Sequence, residues 1–315
     1  MPDAPKPFRF GLSVLPPRSP LELAERARWA EAHGFSTLLV ADHLVPDLLD
    51  PFPSLAAAAT ATSRLRVGTF VINNDLRHPV MLAREAATLD VVSGGRFELG
   101  IGAGHMASEY HQAGLTFDRG RVRVERLAES VEILRSLLGG ETCTFGGRHY
   151  RVDGHKVPEP VQRPRPPLLI GGNGRMVHEL AARRADAVGF TGFTHRQGGL
   201  EVAPDSFHAE ALDAQVARVR EQAGDRFEEL ELNALVQRVV LTEDRSAAVA
   251  DLAAEGGWPD VDALLQSPYL LVGSVESMTE DLLRRRERFG VSYWVVFDRR
   301  GGFDLAPVVE RLAGT

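Results

Sequence analysis

Residues 167–190 read PLLIGGNGRMVHELAARRADAVGF. A short apolar run ends in glycines, about three turns of helical pattern follow, and a second apolar run begins at Ala187. This succession predicts a strand, a helix and a second strand, which together form one βαβ unit. The stretch therefore indicates an α/β fold.

The same alternation extends over the rest of the chain. It predicts eight strands, most of them rich in β-branched or aliphatic residues, at 8–15, 37–41, 65–72, 97–101, 168–170, 187–190, 231–241 and 292–297. Helical patterns are predicted at 21–33, 53–62, 80–91, 119–138, 176–186, 205–222, 245–255 and 274–289. A β-hairpin is predicted at 142–152. Eight such units favour a closed (β/α)8 TIM barrel over an open sheet.

The chain of 315 residues is long enough for one such barrel with insertions, because these barrels run to about 250 residues or more. Hydrophobic residues make up 44% and charged residues 25%, a composition typical of globular proteins. We expect a single domain over residues 1–315, a flexible segment at 1–7, and insertions in the βα loops near 103–118, 139–167, 191–207 and 256–272.

The totals also argue against several classes of function. The net charge of −7 disfavours nucleic-acid binding. The single cysteine, Cys143, cannot form an internal disulfide, so we expect a reducing compartment. The N-terminus is too short and polar for a signal peptide and no apolar run has membrane-spanning length, so we expect a cytoplasmic protein with no membrane partner. No two histidines have metal-ligand spacing, so no metal is expected.

The active site of a TIM barrel lies at the carboxyl ends of its strands. In this sequence those ends carry polar residues and glycines, whereas the amino ends carry no distinctive motif. The residues concerned are Asp42, His43, Asn73, Asn74, Gly102–His105, Gly171–Gly174, Thr191, Asp298 and Arg299. This asymmetry predicts a site at one end of the barrel.

The turn formed by Gly171, Gly172, Asn173 and Gly174 lies where a strand becomes a helix. Free amides and the positive end of the helix would face an anion placed there, and the missing Cβ atoms would let it approach. With Arg175 in the first helical turn, the motif predicts a phosphate site. The alternative is that the glycines only make a tight turn.

A second glycine motif, GIGAGH, spans residues 100–105. It nearly matches a dinucleotide-binding fingerprint, but His105 occupies the sixth position and the unit is the fourth in the chain. The other interpretation is that Gly102, Ala103 and Gly104 let a flat ring system pass close to the backbone.

Two histidines are candidates for proton transfer, because a histidine near its reference pKa exchanges protons at neutral pH. His43 follows the second strand directly and His105 follows the fourth. The alternative for the Asp42-His43 pair is that it caps the next helix.

Several of these motifs, in this order and spacing, resemble the luciferase-like flavin and deazaflavin oxidoreductases, and most closely the branch that uses coenzyme F420. The motifs are Asp42-His43, Arg77-His78-Pro79, FELGIGAG at 97–104, Glu109-Tyr110, IGGNG at 170–174 and LLVGS at 270–274. The resemblance spans nearly the whole chain and implies a TIM barrel and a homodimer.

The resemblance also implies where a cofactor binds. Its ring would lie against the third strand, near a non-proline cis peptide at Phe70-Val71, and its phosphate tail would lie in the turn from Gly171 to Arg175. His43 would lie beside the reactive carbon. The implied contacts are Asp42, His43, Phe70, Val71, Asn73, Gly102, Ala103, Gly104, Gly171, Gly172, Asn173, Gly174 and Arg175. Relatives that oxidise sugar phosphates carry a glutamate as proton donor where this chain has His105.

The function that the resemblance implies is hydride transfer between F420 and a small organic substrate, with His43 and His105 handling the proton. Two alternatives remain open at this point. One is an FMN-dependent monooxygenase of the same superfamily, and the other is a non-catalytic protein that binds a flavin-like ligand.

Overall fold

A computed structural model describes residues 5–15, 19–46, 48–192, 195–196, 201–256 and 261–315. Eight parallel strands form its centre: β1 (Arg9–Ser13), β2 (Thr37–Val40), β3 (Arg66–Thr69), β4 (Phe97–Gly102), β5 (Leu168–Gly171), β6 (Ala187–Phe190), β7 (Glu231–Val236) and β8 (Val291–Phe297). Each strand pairs with the next in sequence, and β8 pairs with β1. The closed ring confirms the predicted TIM barrel.

The described residues form eleven α-helices. They are α1 (Pro20–Ala32), α2 (Pro51–Ala61), α3 (Pro79–Val92), α4 (Ala107–Gln112), α5 (Gly120–Leu138), α6 (Arg175–Arg184), α7 (Ala209–Ala223), α8 (Arg245–Gly256), α9 (Val261–Gln266), α10 (Val275–Phe289) and α11 (Ala306–Leu312). The end signals of α10 show why it forms where it does. Ser274 accepts a hydrogen bond from the Ser277 amide at its start, and Gly290, with φ +73, ends it.

Short strands lie outside the barrel ring. The predicted hairpin is present, formed by Cys143–Gly146 and Arg151–His155. Two two-residue strands, His195–Arg196 and Glu201–Val202, pair in antiparallel fashion, and Ile72–Asn73 continues the course of β3 beside β4.

The sequence predicts one strand over 231–241, but the structure divides it. After β7, Gln237 donates its backbone N–H to Tyr269 O (2.7 Å) and its side-chain amide to Thr191 O (2.8 Å). The next segment, Arg238–Leu241, pairs in parallel with Leu270–Gly273 and not with the barrel. The apolar pattern runs continuously through 231–241, because both segments are strands. It therefore does not show that the second segment pairs with a different neighbour.

The barrel interior is packed with apolar side chains along most of its length. Leu39, Leu169, Leu235, Tyr293 and Val295 are among the buried residues of this cluster. Three partly exposed residues cover it at the carboxyl ends of the strands, namely Phe70, Val71 and Phe297. The barrel is therefore a filled core with an apolar surface at its mouth.

Within the described parts of the chain, no helix combines the length and the apolar character needed to cross a membrane.

Candidate active site

His43 leaves the end of β2 and meets a carboxylate from α4. Its Nδ1 lies 2.8 Å from Glu109 Oε1, and the Leu44 amide donates to Glu109 Oε2 at 3.3 Å. Glu109 is buried, whereas the His43 side chain is 31% exposed. An ionised Glu109 accepts a hydrogen bond from Nδ1–H, which leaves Nε2 of His43 available to a reacting group.

The two histidines predicted to be catalytic lie together. Their rings meet edge to face, with centroids 5.5 Å apart and planes at 87°. His105 follows β4 and is half-buried, as is His43. The structure thus brings two proton-exchanging side chains and one buried carboxylate, Glu109, to one side of the barrel mouth.

The sequence pattern assigns Glu109 no role beyond its part in the family motif. The one signal for a functional role is the position of an acidic residue in the first helical segment after β4. Its partner His43 lies 66 residues earlier in the chain. A local pattern cannot show that contact.

The carboxylate of Asp42 forms hydrogen bonds with neighbouring protein groups. Its Oδ2 accepts hydrogen bonds from Arg77 Nη1 (2.6 Å) and from the Asn73 amide (3.1 Å). Burial raises the pKa of Asp42, and Arg77 opposes that shift. Asp42 therefore joins the ends of β2 and β3, and its contact with a cofactor stays a prediction.

Asn73 also has protein partners. Its Oδ1 accepts from Tyr110 Oη (2.9 Å) and from the Asp75 amide (3.1 Å). Tyr110 is buried, and burial, followed by the charge of Asp75, raises the pKa of its phenol. Gly104 has φ +75, and a Cβ there would collide with Tyr110 Oη and lie 2.6 Å from Asn73 Oδ1. Packing alone thus requires glycine at 104.

The non-proline cis peptide that the resemblance implied is present between Phe70 and Val71. The Val71 side chain fills the space above three glycines of β4 and β5. A Cβ at Gly100 or Gly171 would lie 3.2 or 3.1 Å from Val71 Cγ1, and one at Gly102 would lie 2.9 Å from Val71 Cγ2. Val71 therefore forms the apolar floor of the mouth, and the glycines make room for it.

The turn after β5 has the geometry of an anion site. Gly172 has φ +144, and its amide donates to Gly189 O at 3.1 Å. Asn173 fixes the turn to the end of β6, because its side chain exchanges two hydrogen bonds with Thr191, at 3.0 and 3.2 Å. Gly174 precedes α6 without a side-chain cap. The first amides of α6 are therefore not capped by a side chain of the helix.

Arg175 does not reach over this turn. Its side chain is 77% exposed and its Nε donates to Glu179 Oε1 at 2.8 Å, one helical turn further on. The guanidinium is therefore paired within α6. Its contact with a phosphate stays a prediction.

A buried histidine that the sequence interpretation missed lies behind the turn. His178 is fully enclosed, meets Phe190 edge to face at 5.4 Å, and has Arg218 Nη1 3.5 Å from its Nδ1. Burial, followed by the charge of Arg218, lowers the pKa of His178 to about 4. The ring is therefore neutral at physiological pH. The sequence pattern around His178 assigns it no role, because a histidine on a helix face carries no signal of its own.

Asp298, at the end of β8, has a structural role. It accepts from the Leu15 amide (3.0 Å), from the Arg299 amide (2.7 Å) and from Arg26 Nη1 (2.6 Å). It thereby ties the end of β8 to the segment between β1 and α1. Among the described residues, no three His, Cys, Asp or Glu side chains are grouped so that they could hold a metal ion.

Known proteins are similar to this chain, some in sequence and some in fold. Curated relatives include an F420-dependent glucose-6-phosphate dehydrogenase of Nakamurella multipartita, 34% identical over 255 residues, which are 78% of this chain and 72% of the relative. The enzyme of the same name from Microbacterium testaceum is 34% identical over 189 residues, and the match spans about half of each chain, 57% and 55%.

Solved structures show the same fold at lower identity. The F420-dependent tetrahydromethanopterin reductase of Methanopyrus kandleri superposes with a TM-score of 0.77 at 19% identity, covering 98% of both chains. An F420-dependent secondary alcohol dehydrogenase superposes with a TM-score of 0.76, also at 19% identity, covering 97% of this chain and 98% of that one. A sequence model of the luciferase-like monooxygenase family matches residues 7–292. The chain therefore belongs to the luciferase-like monooxygenase family.

Proposed function

We propose that the protein is an oxidoreductase that transfers a hydride between the deazaflavin coenzyme F420 and a small organic substrate. Two curated relatives at 34% identity are named as F420-dependent dehydrogenases. The observation that carries the proposal is the position of His43. This histidine is oriented by Glu109 and lies at the same end of the barrel as an apolar floor and an uncapped helix start.

The mouth fits such a cofactor in two respects. Phe70, Val71 and Phe297 present partly exposed apolar surface, which suits one face of a flat ring. The turn that ends at Gly174 places the first backbone amides of α6 at the positive end of the helix, which suits a phosphate. When bound, a deazaflavin carries hydride at a ring carbon.

The protein then has to orient the substrate and move one proton. His43 Nε2 accepts the proton of a substrate hydroxyl as hydride leaves the adjoining carbon, and returns it in the reverse direction. Glu109 holds the Nδ1–H of His43 and stabilises the imidazolium that forms. His105, edge to face with His43, is the second group that can relay the proton.

Titration of the purified protein with F420 and, separately, with FMN tests the proposal. We expect saturable binding of F420, followed by fluorescence, and turnover with an organic substrate without oxygen consumption. Preference for FMN together with oxygen consumption would support a monooxygenase. Saturation without turnover across a substrate panel would leave a ligand-binding protein.

The phosphate site has its own test in Gly172→Val. A side chain there is strained at φ +144, and its Cβ would lie 3.2 Å from Val177 Cγ1. Because the strained turn must shift, the amides at the start of α6 should lose their alignment with the phosphate, and we expect F420 affinity to fall by at least about tenfold, as for the loss of one charge-assisted hydrogen bond. Gly146→Val is the matched control, because nothing lies within 4 Å of a Cβ at that hairpin position. Unaltered F420 affinity in Gly172→Val would refute the phosphate site.

We also propose that the protein is a homodimer, as the family resemblance implies, and that it is a single-domain cytoplasmic protein, as its length and composition indicate. Sedimentation of the purified protein tests the oligomeric state, and a monomer at micromolar concentration would refute it.

A further inference from the structure

Two arginines follow neighbouring strands at the mouth of the barrel. Arg238 comes two residues after the end of β7, and Arg300 comes three residues after the end of β8. Neither was singled out by the sequence, since arginines are frequent on helical surfaces. Both lie on the side of the mouth opposite β3 and β4, because β7 and β8 are four places away from them around the ring.

The backbone brings the two arginines together. Gly301, directly after Arg300, packs against Val239, directly after Arg238: a Cβ at Gly301 would lie 3.0 Å from Val239 Cβ and would collide with Val239 O. Gly301 also has φ +85, which side chains disfavour, so both the close packing and the backbone conformation require glycine here. The loop after β8 is therefore held tightly against the strand that begins at Arg238.

Arg300 also lies on the floor of the mouth. Its guanidinium carbon is 4.8 Å from the centroid of the Phe297 ring. Phe297 belongs with Phe70 and Val71 to the partly exposed surface that covers the barrel core. A group bound by Arg300 would thus lie at the edge of the surface on which a flat ring would rest.

Neither arginine has a counterion within the part of the chain that the structure describes. Among the described residues, no carboxylate or other acceptor forms an ion pair or hydrogen bond with Arg238 or Arg300. Both side chains are half-buried, and burial followed by the charge of Arg238 lowers the pKa of Arg300. Two like charges held together and partly withdrawn from water are unfavourable unless an anion joins them.

We propose that Arg238 and Arg300 form a binding site for an anionic group of the substrate, a phosphate monoester or a carboxylate. Paired guanidinium groups match the oxygens of either group by charge-assisted hydrogen bonds. Loops after the seventh and eighth strands bind phosphates in many TIM barrels. The inference rests on the proposed function only in assigning the anion to the substrate.

Calorimetric titration of inorganic phosphate, and separately of acetate, into the F420-loaded protein tests the site. We expect phosphate or acetate to bind, and the one that binds tighter identifies the substrate group. Affinity should fall by about tenfold or more in Arg300→Gln and in Arg238→Gln, the loss of one charge-assisted contact each. Arg183→Gln is the matched control, an exposed arginine at the far end of α6 whose guanidinium donates to Gln222 Oε1.

Three outcomes would overturn the proposal. They are absence of phosphate and acetate binding in the wild-type protein, equal binding in the double variant Arg238→Gln/Arg300→Gln, and a loss of F420 affinity in that variant without a loss of phosphate affinity. The variants should fold, because removing one of two repelling charges does not destabilise the protein, and their Tm without added anion should not fall.

The test also separates this proposal from the proposed function. If F420 does not bind at all, the same titrations are made on the free protein and on Gly172→Val. Phosphate binding that survives in Gly172→Val and disappears in the arginine double variant supports the arginine site even though the proposed function has failed.

Discussion

Charged side chains are paired differently at the two ends of the barrel. At the amino ends of the strands, Arg9 pairs with Glu98 (2.5 Å) and Glu231 (2.7 Å), and Arg66 donates to the same Glu98 carboxylate. At the carboxyl ends, Arg238 and Arg300 have no carboxylate partner among the described residues, and His43 leaves one ring nitrogen for a ligand. The described arginines of the amino end are neutralised by the chain itself, whereas the carboxyl end combines ion pairs such as Arg77 with Asp42 with two arginines that have no such partner among the described residues.

The pKa shifts express the same difference. Burial lowers the pKa of Arg9, but Glu98, with Tyr293 and Glu231, outweighs burial, so its pKa lies above the ordinary value. Burial, followed by the charge of Arg238, lowers the pKa of Arg300, and no carboxylate of the described residues opposes that shift. The comparison teaches that paired charge at the amino end fits a role in stability, and it agrees with the binding role that we propose for the arginines at the mouth. Substitutions at the two ends should therefore affect different measurements.

The largest effect is expected from His43→Ala. Loss of a general acid–base group should lower kcat about a thousandfold while F420 affinity and stability stay nearly unchanged. Steady-state kinetics and F420 titration measure this. His111→Ala is the control, an exposed histidine of α4. Unchanged kcat in His43→Ala would remove His43 from the mechanism.

The second-largest effect is expected at the amino ends of the strands, and it concerns stability. Glu98→Ala leaves Arg9 and Arg66 without their shared carboxylate, and it should lower the free energy of unfolding by about 3 kcal/mol, the cost of breaking a buried ion pair. Urea denaturation measures this. Glu159→Ala, which removes a 70% exposed carboxylate, should cost less than about 1 kcal/mol. Equal losses in the two variants would contradict the assigned role of the amino end.

A smaller effect is expected from pH at His178. Its pKa is lowered to about 4 in the folded protein, so between about 6.5 and 4 the unfolded chain binds the extra proton. Stability is therefore full above pH 6.5 and falls as the pH drops, by about 2 kcal/mol at pH 5. Chemical denaturation at pH 7.5 and 5 measures this. His178→Phe, which keeps a ring against Phe190, should lose that share of the pH dependence, and an unchanged slope would refute the assignment.

The smallest effect is expected from Glu109→Gln, which keeps the size of the side chain that holds His43. An amide still accepts the Nδ1–H bond but does not stabilise the imidazolium, so kcat should fall about tenfold. Steady-state kinetics measure this, and an unchanged kcat in Glu109→Gln would show that the charge of Glu109 has no part in the reaction.

The order of strands and helices could be predicted from the sequence, because each depends on patterns within about ten to twenty residues. The same holds for the gathering of His43, His105 and Gly172 at one end, since parallel strands place their carboxyl ends together. The partners of these residues could not be predicted. Glu109 meets His43 across 66 residues, and that contact depends on how the loop after β4 folds back over the mouth.

Arg238 and Arg300 show the same limit. They lie more than sixty positions apart in the numbering, and their backbones come close because Gly301 packs directly against Val239. The division of the predicted 231–241 strand at Gln237 likewise depends on hydrogen bonds to Thr191 and Tyr269. Periodicity identifies which residues form strands, but it does not identify which neighbour each strand selects.

The side chain of Val71 determines the shape of the mouth at the ends of β4 and β5. It occupies space left by the absent side chains of Gly100, Gly102 and Gly171. Shortening residue 71 would open space above these three glycines, and lengthening it would press on their backbones. A single aliphatic side chain thereby sets the height of the apolar floor between β3, β4 and β5.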